Sequence, residues 1–316
     1  MPNINSVTKS SVSKYGVFGY PVSQSLSPVM QNSAFSKAGL PAVYQAFEVK
    51  PEELESSILK AQADGFMGLN LTIPHKEAVL KFDFLNPDSF SKMAGAVNTL
   101  RFSNGFIEGF NTDAGGAMLA LEYEEIHPAG KKILVIGAGG ASRSLSFLFS
   151  KIASELKIIN RTAERAEKLA ADIFSHLPED LQNKKISGGG FADILNDISN
   201  ADIILQTTEL GMGVYESFSV FDQIPNFCSG EERAVLLKKY LTSDKVVFDI
   251  VYHPKETKFL KESRAAGAKT INGMMMLVFQ GALAFEIWTG QKSDISVMRQ
   301  AVLEALDNNQ SITTNR

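Results

Sequence analysis

Apolar and polar residues alternate with period two along 42–49 (AVYQAFEV) and 66–73 (FMGLNLTI). Between them, 51–65 carries Leu54, Ile58 and Leu59 at helical spacing behind Pro51 and an acidic first turn. Period two marks a strand half-buried in a sheet, and spacing near 3.6 marks a helix lying on that sheet. Upstream, 15–20 (YGVFGY) reads as a short strand and 27–39 as a helix. That helix opens on Pro28, a residue tolerated in a first turn, and closes on Gly39, which suits the position after the last. The order β, α, β, α, β predicts a parallel or mixed sheet with helical crossovers.

A second alternation begins at 131–149 (KKILVIGAGGASRSLSFLF), where an apolar run meets a glycine cluster and then a helix. It continues through LKIIN (156–160), a helix over 162–174, ADIILQTT (201–208) and KVVFDIVY (245–252). Five or six such strands predict a nucleotide-binding sheet of the Rossmann type. Segments 175–190 and 214–244 fit no regular element and read as loops or insertions with some local helix. The apolar run 274–288 is interrupted by Gln280 and Glu286. It falls short of the roughly 18 residues of a membrane span, so it reads as a buried helix.

The chain has 316 residues, enough for two domains with separate cores. Its 31 basic and 35 acidic side chains leave a net charge of -4 without a basic block. Nucleic acid and anionic membranes are therefore poor partners, and small molecules are expected instead. Cys228 stands alone and the four histidines are dispersed, so neither a disulfide nor a metal motif is expected, and a reducing cytoplasm is the default compartment. The first fourteen residues, polar and serine-rich, read as a disordered leader rather than a signal peptide. Oligomeric state is left open, with a homodimer among the possibilities.

In GAGGAS, Gly137 and Gly139 fill the first two positions of a G-x-G-x-x-G turn and Ser142 the third. Residues without Cβ let backbone N–H groups at a helix N-terminus approach a pyrophosphate. Where the following strand would end in an acid for NAD, this chain has Asn160, Arg161 and Thr162, with Arg165 one turn on. A guanidinium and a hydroxyl suit a ribose 2′-phosphate, which points to NADP. Taken alone, the same residues also fit a capped strand end with two solvated arginines.

Three polar clusters fall at strand ends in the first 113 residues. Ser25 and Ser27 precede a helix start, where hydroxyls and N–H groups can hold a carboxylate or simply cap the helix. Pro74 ends the strand at 66–73 and sets Lys76 at its edge. A hairpin is expected to carry Asn98 and Asn111, followed by Asp113 before a helix. A lysine and an aspartate on neighbouring strand ends can exchange a proton with a substrate oxygen, or form a structural ion pair with Asp113 as an N-cap; residue types do not separate the two.

Taken together, these clusters resemble the shikimate dehydrogenase family from about residue 15 to 290. SLSP at 25–28, NLTIPHK at 70–76, GAVNT at 95–99, GFNTD at 109–113, GAGGA at 137–141, NRTAER at 160–165 and NGMMMLVFQ at 272–280 occur in the family's order. The resemblance implies an α/β fold of two domains. An N-terminal substrate domain with a mixed, mostly parallel sheet would occupy 15–117 and a Rossmann-type NADP-binding domain 118–273, with helices in 274–316 returning to the substrate domain. It implies NADP-dependent interconversion of 3-dehydroshikimate and shikimate, on the route to aromatic amino acids. Lys76 and Asp113 would be the catalytic pair. Ser25, Ser27 and Tyr252 would bind the substrate carboxylate, and Thr72, Asn98, Asp113 and Gln280 its ring hydroxyls. Gly137, Ala138, Gly139, Gly140 and Ala141 would take the pyrophosphate, Asn160, Arg161, Thr162 and Arg165 the adenosine phosphate, and Ile250 and Gly273 the nicotinamide end.

The chain departs from the family pattern at Gln206 and Thr207, where Asn-Ala is usual, at Gln24, where histidine is common, and in the length of 214–244. A quinate or quinate/shikimate dehydrogenase, with either NADP or NAD, is the alternative within the family, and Arg161 speaks against NAD. A non-catalytic sensor on the same fold is the alternative outside it, and retention of both Lys76 and Asp113 speaks against that.

Overall fold

The computed structural model describes residues 12–313, with side chains to residue 308. The first sheet is built from β1 (Ser13–Gly19), β2 (Ala42–Glu48), β3 (Phe66–Leu71), β4 (Leu85–Pro87), β5 (Thr99–Ser103) and β6 (Phe106–Phe110), in the order β2-β1-β3-β5-β6-β4. β1 pairs in parallel with β2 and β3, whereas β5 runs antiparallel to β3 and β6, which makes the sheet mixed. Its helices are α1 (Ser27–Lys37), α2 (Leu54–Ala63), α3 (His75–Ala78), α4 (Ser89–Ala94) and α5 (Asp113–Tyr123).

The second sheet is parallel throughout. It comprises β7 (Lys132–Ile136), β8 (Glu155–Ile159), β9 (Lys185–Gly189), β10 (Ile203–Gln206), β11 (Val246–Asp249) and β12 (Lys269–Ile271), in the order β12-β11-β10-β7-β8-β9. Counted from β7, that is the doubly wound order with its switch point between β7 and β10. Its helices are α6 (Gly140–Ser150), α7 (Ala163–Ser175), α8 (Ile194–Asn200), α9 (Gly230–Leu237) and α10 (Lys258–Ala266).

The chain then returns to the first sheet through α11 (Met274–Thr289) and α12 (Ile295–Thr313). Trp288 of α11 lies on Gly68 of β3, where a Cβ would sit 2.2 Å from the indole nitrogen, and that nitrogen donates to Leu100 O at 2.9 Å. Phe35 of α1 stacks between Tyr15 of β1 and Phe285 of α11. Gln31 Nε2 donates to Gly281 O at 2.9 Å. The apolar run 274–288 is thus a helix buried against α1 and β3, and no helix among the described residues is long and apolar enough to cross a membrane.

Three local expectations need correction. The leader reading of 1–14 overreaches: Ser13 and Lys14 belong to β1, paired with Ala42 and Val43, and positions 1–11 lie outside the described residues. Segment 175–190 contains β9, an edge strand of the second sheet. Its glycines hid it. Gly188 packs so tightly on α7 that a Cβ would sit 2.4 Å from the Ala166 backbone, so the residue that weakens strand propensity is what lets the helix dock. Leu59, counted on the buried face of α2, is exposed, and Leu54, Ile58 and Ala61 form that face. Segment 214–244 is an insertion with local helix, as expected: it carries α9 and places Val220, Phe221, Leu237 and Leu241 in the core beneath β10 and β11.

Candidate active site

The first sheet positions Lys76 through its neighbours. His75 is fully buried and its Nε2 donates to Val49 O at 2.8 Å, which pins the single turn α3 where the strand ends; burial lowers the imidazole pKa. Lys76 O accepts from Val97 N at 2.8 Å. With its backbone fixed on both sides, the side chain reaches Asp113 at the start of α5, Nζ to Oδ2 2.6 Å, in a site where the two side chains are 16% and 6% exposed. A short charge-assisted hydrogen bond fixes the lysine head and leaves further ammonium protons to offer.

Asp113 is held from behind by a buried polar network. Asn98 Nδ2 donates to Asp113 Oδ1 at 2.8 Å, and Asn98 Oδ1 accepts from Thr112 N at 2.8 Å and Thr99 Oγ1 at 3.0 Å. Asn70 Nδ2 donates to Thr99 Oγ1 at 3.0 Å, while Asn70 Oδ1 accepts from the Tyr44 hydroxyl at 2.7 Å. The Ser27 hydroxyl hydrogen-bonds to that phenol, whose burial raises its pKa. Each of these buried polar groups finds a partner, the condition under which such a network rigidifies a site. Tyr44, Asn70, Thr99 and Thr112 carry no assignment from sequence. The one available signal was Asn70, a polar residue inside an apolar strand.

Ser25 and Ser27 meet at the entry to α1, where Ser27 N donates to Ser25 Oγ at 3.3 Å. Neither is the N-cap residue, which is Leu26, although Ser25 takes up the first amide of the helix. Tyr252, beyond the end of β11, crosses from the second sheet to hydrogen-bond the Leu26 backbone, and burial raises its pKa. Thr72, four residues before Lys76, is half-buried with its methyl against Gly19, and its side chain makes no hydrogen bond among the described residues. Gln280 reaches the same place from α11: its Oε1 lies 3.5 Å from Thr112 Oγ1, and its Cβ faces Gly116 so closely that a methyl there would clash at 2.7 Å. Residues from β3, the β5–β6 hairpin, α1, α11 and the tail of β11 therefore converge on one cleft.

The opposite wall is the glycine turn between β7 and α6. Gly137 has φ +125°, a left-handed conformation that glycine adopts freely, and open space faces Gly139. A Cβ on Gly140 would lie 2.8 Å from Lys76 Cβ, so the start of α6 abuts the lysine. Ala138 and Ala141 complete the turn, and Arg165 Nη2 donates to Ala138 O at 3.4 Å. Asn160 Nδ2 donates to Thr162 O at 3.0 Å at the end of β8, and exposed Arg161 has no side-chain partner among the described residues. At the far side, Gly273 approaches Ile250 so closely that a Cβ would lie 1.9 Å from Ile250 O. An open turn, a helix N-terminus and unpaired guanidinium beside it fit a phosphorylated dinucleotide.

Gln206 and Thr207, the departures from pattern, lock the floor of this wall. Gln206 Nε2 donates to Leu210 O at 2.9 Å and to Asp249 Oδ1 at 3.3 Å. Thr207 Oγ1 donates to Ile136 O at 2.7 Å and lies 2.6 Å from Ser142 Oγ. Asp249, fully buried, also accepts from Thr257 Oγ1 and Val251 N, yet burial raises its pKa to about 7. No group of three or more His, Cys, Asp or Glu residues that could hold a metal occurs among the described residues.

A doubly wound sheet with a glycine turn at its switch point, facing a buried lysine–aspartate pair from a second α/β unit, is the arrangement of a two-domain, dinucleotide-dependent oxidoreductase. Residues 17–100 match the family model of the shikimate dehydrogenase substrate binding domain, 119–217 that of shikimate / quinate 5-dehydrogenase, and 273–303 that of the shikimate 5'-dehydrogenase C-terminal domain. The chain is 45% identical over 293 residues to the shikimate dehydrogenase (NADP(+)) of Methanosarcina barkeri (strain Fusaro / DSM 804), covering 92% of this chain and 98% of that one. A crystal structure of a shikimate dehydrogenase in complex with NADP+ superposes with a TM-score of 0.79 at 38% identity, over 96% of this chain and 99% of the other. The shikimate 5-dehydrogenase of Thermus thermophilus, in complex with NADP(H) and shikimate, gives 0.76 at 32% identity, over 93% and 100%. The chain belongs to the shikimate dehydrogenase family.

Proposed function

We propose that this chain reversibly reduces 3-dehydroshikimate to shikimate with NADPH, a step in the synthesis of aromatic amino acids. The observation that carries the reading is the contact between the two halves of the site: the helix that opens on the glycine turn touches the Lys76 stem, and Lys76 is 2.6 Å from Asp113. When bound in that cradle, NADPH supplies the hydride that reduces the ring ketone.

Lys76 gives a proton to the developing alkoxide, and Asp113 orients the ammonium while accepting from a ring hydroxyl. Thr72, Asn98 and Gln280 hold the ring hydroxyls. Ser25 and Ser27 bind the substrate carboxylate together with Tyr252, which reaches it across the cleft. Gly137 to Ala141 receive the pyrophosphate, Asn160, Arg161, Thr162 and Arg165 the 2′-phosphate, and Ile250 and Gly273 border the nicotinamide. The division into 15–117, 118–273 and 274–316 belongs to the same reading, with α5 crossing the first boundary as a linking helix. So do a cytoplasmic site of action and a homodimeric assembly.

Initial rates followed through nicotinamide absorbance, with shikimate or quinate paired with NADP or NAD, test the proposal. Shikimate with NADP should be the fastest pairing; quinate with NAD as the fastest would replace it. Lys76→Ala should lower kcat by about 10²-fold or more with little change in the KM for shikimate. Near-wild-type turnover would remove Lys76 from its role.

A further inference from the structure

The helix that opens on the glycine turn is gripped one turn later by the first sheet. Arg143 of α6 donates from Nε to Ala94 O at 3.2 Å, and its Nη2 pairs with Asp172 on α7. Ala94 is the last residue of α4, so its carbonyl lies at a helix C-terminus, where a cation is favoured. Gly95, at φ +69°, presents its bare face to the guanidinium; a Cβ there would be 2.7 Å from Arg143 Nη2.

Beside this contact, Asn111 Nδ2 donates to Ser144 Oγ of α6 at 2.6 Å and to Ala96 O at 3.0 Å. Its Oδ1 accepts from Asp113 N at 3.1 Å and Ala114 N at 3.3 Å. The gripped segment also holds Lys76, through Val97 N to Lys76 O. Phe90 of α4 meets Phe147 of α6 edge to face, centroids 5.5 Å apart. Lys76 is thus bonded to Val97, three residues beyond the carbonyl that Arg143 holds, and Asp113 to the Asn111 side chain that also contacts Ser144.

We infer that Arg143, seconded by the Asn111–Ser144 contact, is a positioning residue that sets the distance between the dinucleotide cradle and the Lys76–Asp113 pair. The inference rests on the proposed function for its kinetic consequence, but not for its structural one. A guanidinium can bridge Ala94 O and Asp172 together, and neither an ammonium nor an amide reproduces that fork. Sub-ångström spacing errors between reacting groups cost rate while leaving ground-state affinity nearly intact.

Two readouts on Arg143→Gln, Arg143→Lys and Ser144→Ala test it. In hydrogen exchange without ligands, the amides of Val97, Asp113 and Ala114 should exchange about tenfold faster in each variant, with other core amides unchanged. In turnover, Arg143→Gln should lower kcat about tenfold, hold the KM for shikimate within about twofold, and raise the primary isotope effect from NADPH deuterated at the transferred position, because hydride transfer becomes the slow step. Arg143→Lys should not rescue it, and Ser144→Ala should act in the same direction more weakly. Unchanged exchange at those three amides overturns the inference, as does activity lost with the isotope effect at its wild-type value. A wild-type enzyme without hydride transfer between these substrates would instead sink the proposed function and leave the exchange result to judge the contact.

Discussion

Replacing Asp249 with asparagine should flatten the pH dependence of stability. Burial raises this carboxyl from 3.8 to about 7 in the fold. Because the folded value lies above the unfolded one, the fold favours the protonated acid. Its contribution is complete below pH 3.8, declines as pH rises, and is gone once pH passes about 7. A tenfold change in proton affinity corresponds to about 1.4 kcal/mol, so the gap between 3.8 and about 7 amounts to about 4 kcal/mol. Hydrogen bonds accepted from Thr257 and Val251 oppose the rise without cancelling it. Urea unfolding of wild type and Asp249→Asn across about pH 5 to 8 measures the effect, since subtracting the two curves removes every other titrating group. Relative to the variant, the wild type should lose about 1.4 kcal/mol per pH unit up to neutrality and then level off. Parallel curves, within about 0.5 kcal/mol over the whole range, would show that Asp249 is ionised in the fold at all these pH values and refute the reasoning.

Arg161→Ala should weaken NADP binding about 10- to 100-fold, the worth of a charged hydrogen bond, and leave NAD binding unchanged. Calorimetric titration with both dinucleotides checks it, and equal losses for the two would reject the 2′-phosphate role. Gly273→Ala forces a methyl against the Ile250 carbonyl, a backbone atom that no rotamer change can move aside. A loss of about 1–3 kcal/mol is expected from overpacking, read as a lowered Tm together with weaker NADP binding. An unchanged Tm would mean that the β11–α11 junction is looser than the structure indicates.

Much of the cleft is legible in the chain because its determinants are local. Pro74 follows β3 and stops its continuation, so Lys76 falls just past a strand end; Gly137 marks a turn only glycine makes cheaply; Pro28 and Gly39 bracket α1. What escaped has partners distant in sequence. β9 is a strand because β8 offers a ladder and α7 presses on Gly188, although Lys185–Gly189 has the composition of a loop. The chain from Ser27 through Tyr44, Asn70, Thr99 and Asn98 to Asp113 joins five separate elements or their ends, so no spacing rule could have found it.

By itself, the sequence determined the two runs of alternating elements, the glycine turn, and the residue types available for proton transfer and for a phosphorylated dinucleotide, since backbone propensity and side-chain chemistry act within a few residues. Residue types alone left Lys76 and Asp113 balanced between a salt bridge and a catalytic pair, and the family resemblance implied the pair. Only the tertiary structure set them 2.6 Å apart, nearly buried, with Asn98 behind and the first turn of α6 in front. That placement required packing, because the contacts that hold α6 near the pair join Ala94 at the end of α4 and Asn111 after β6 to Arg143 and Ser144 of α6. Hydrogen bonds across that span exist only after both cores have formed and met.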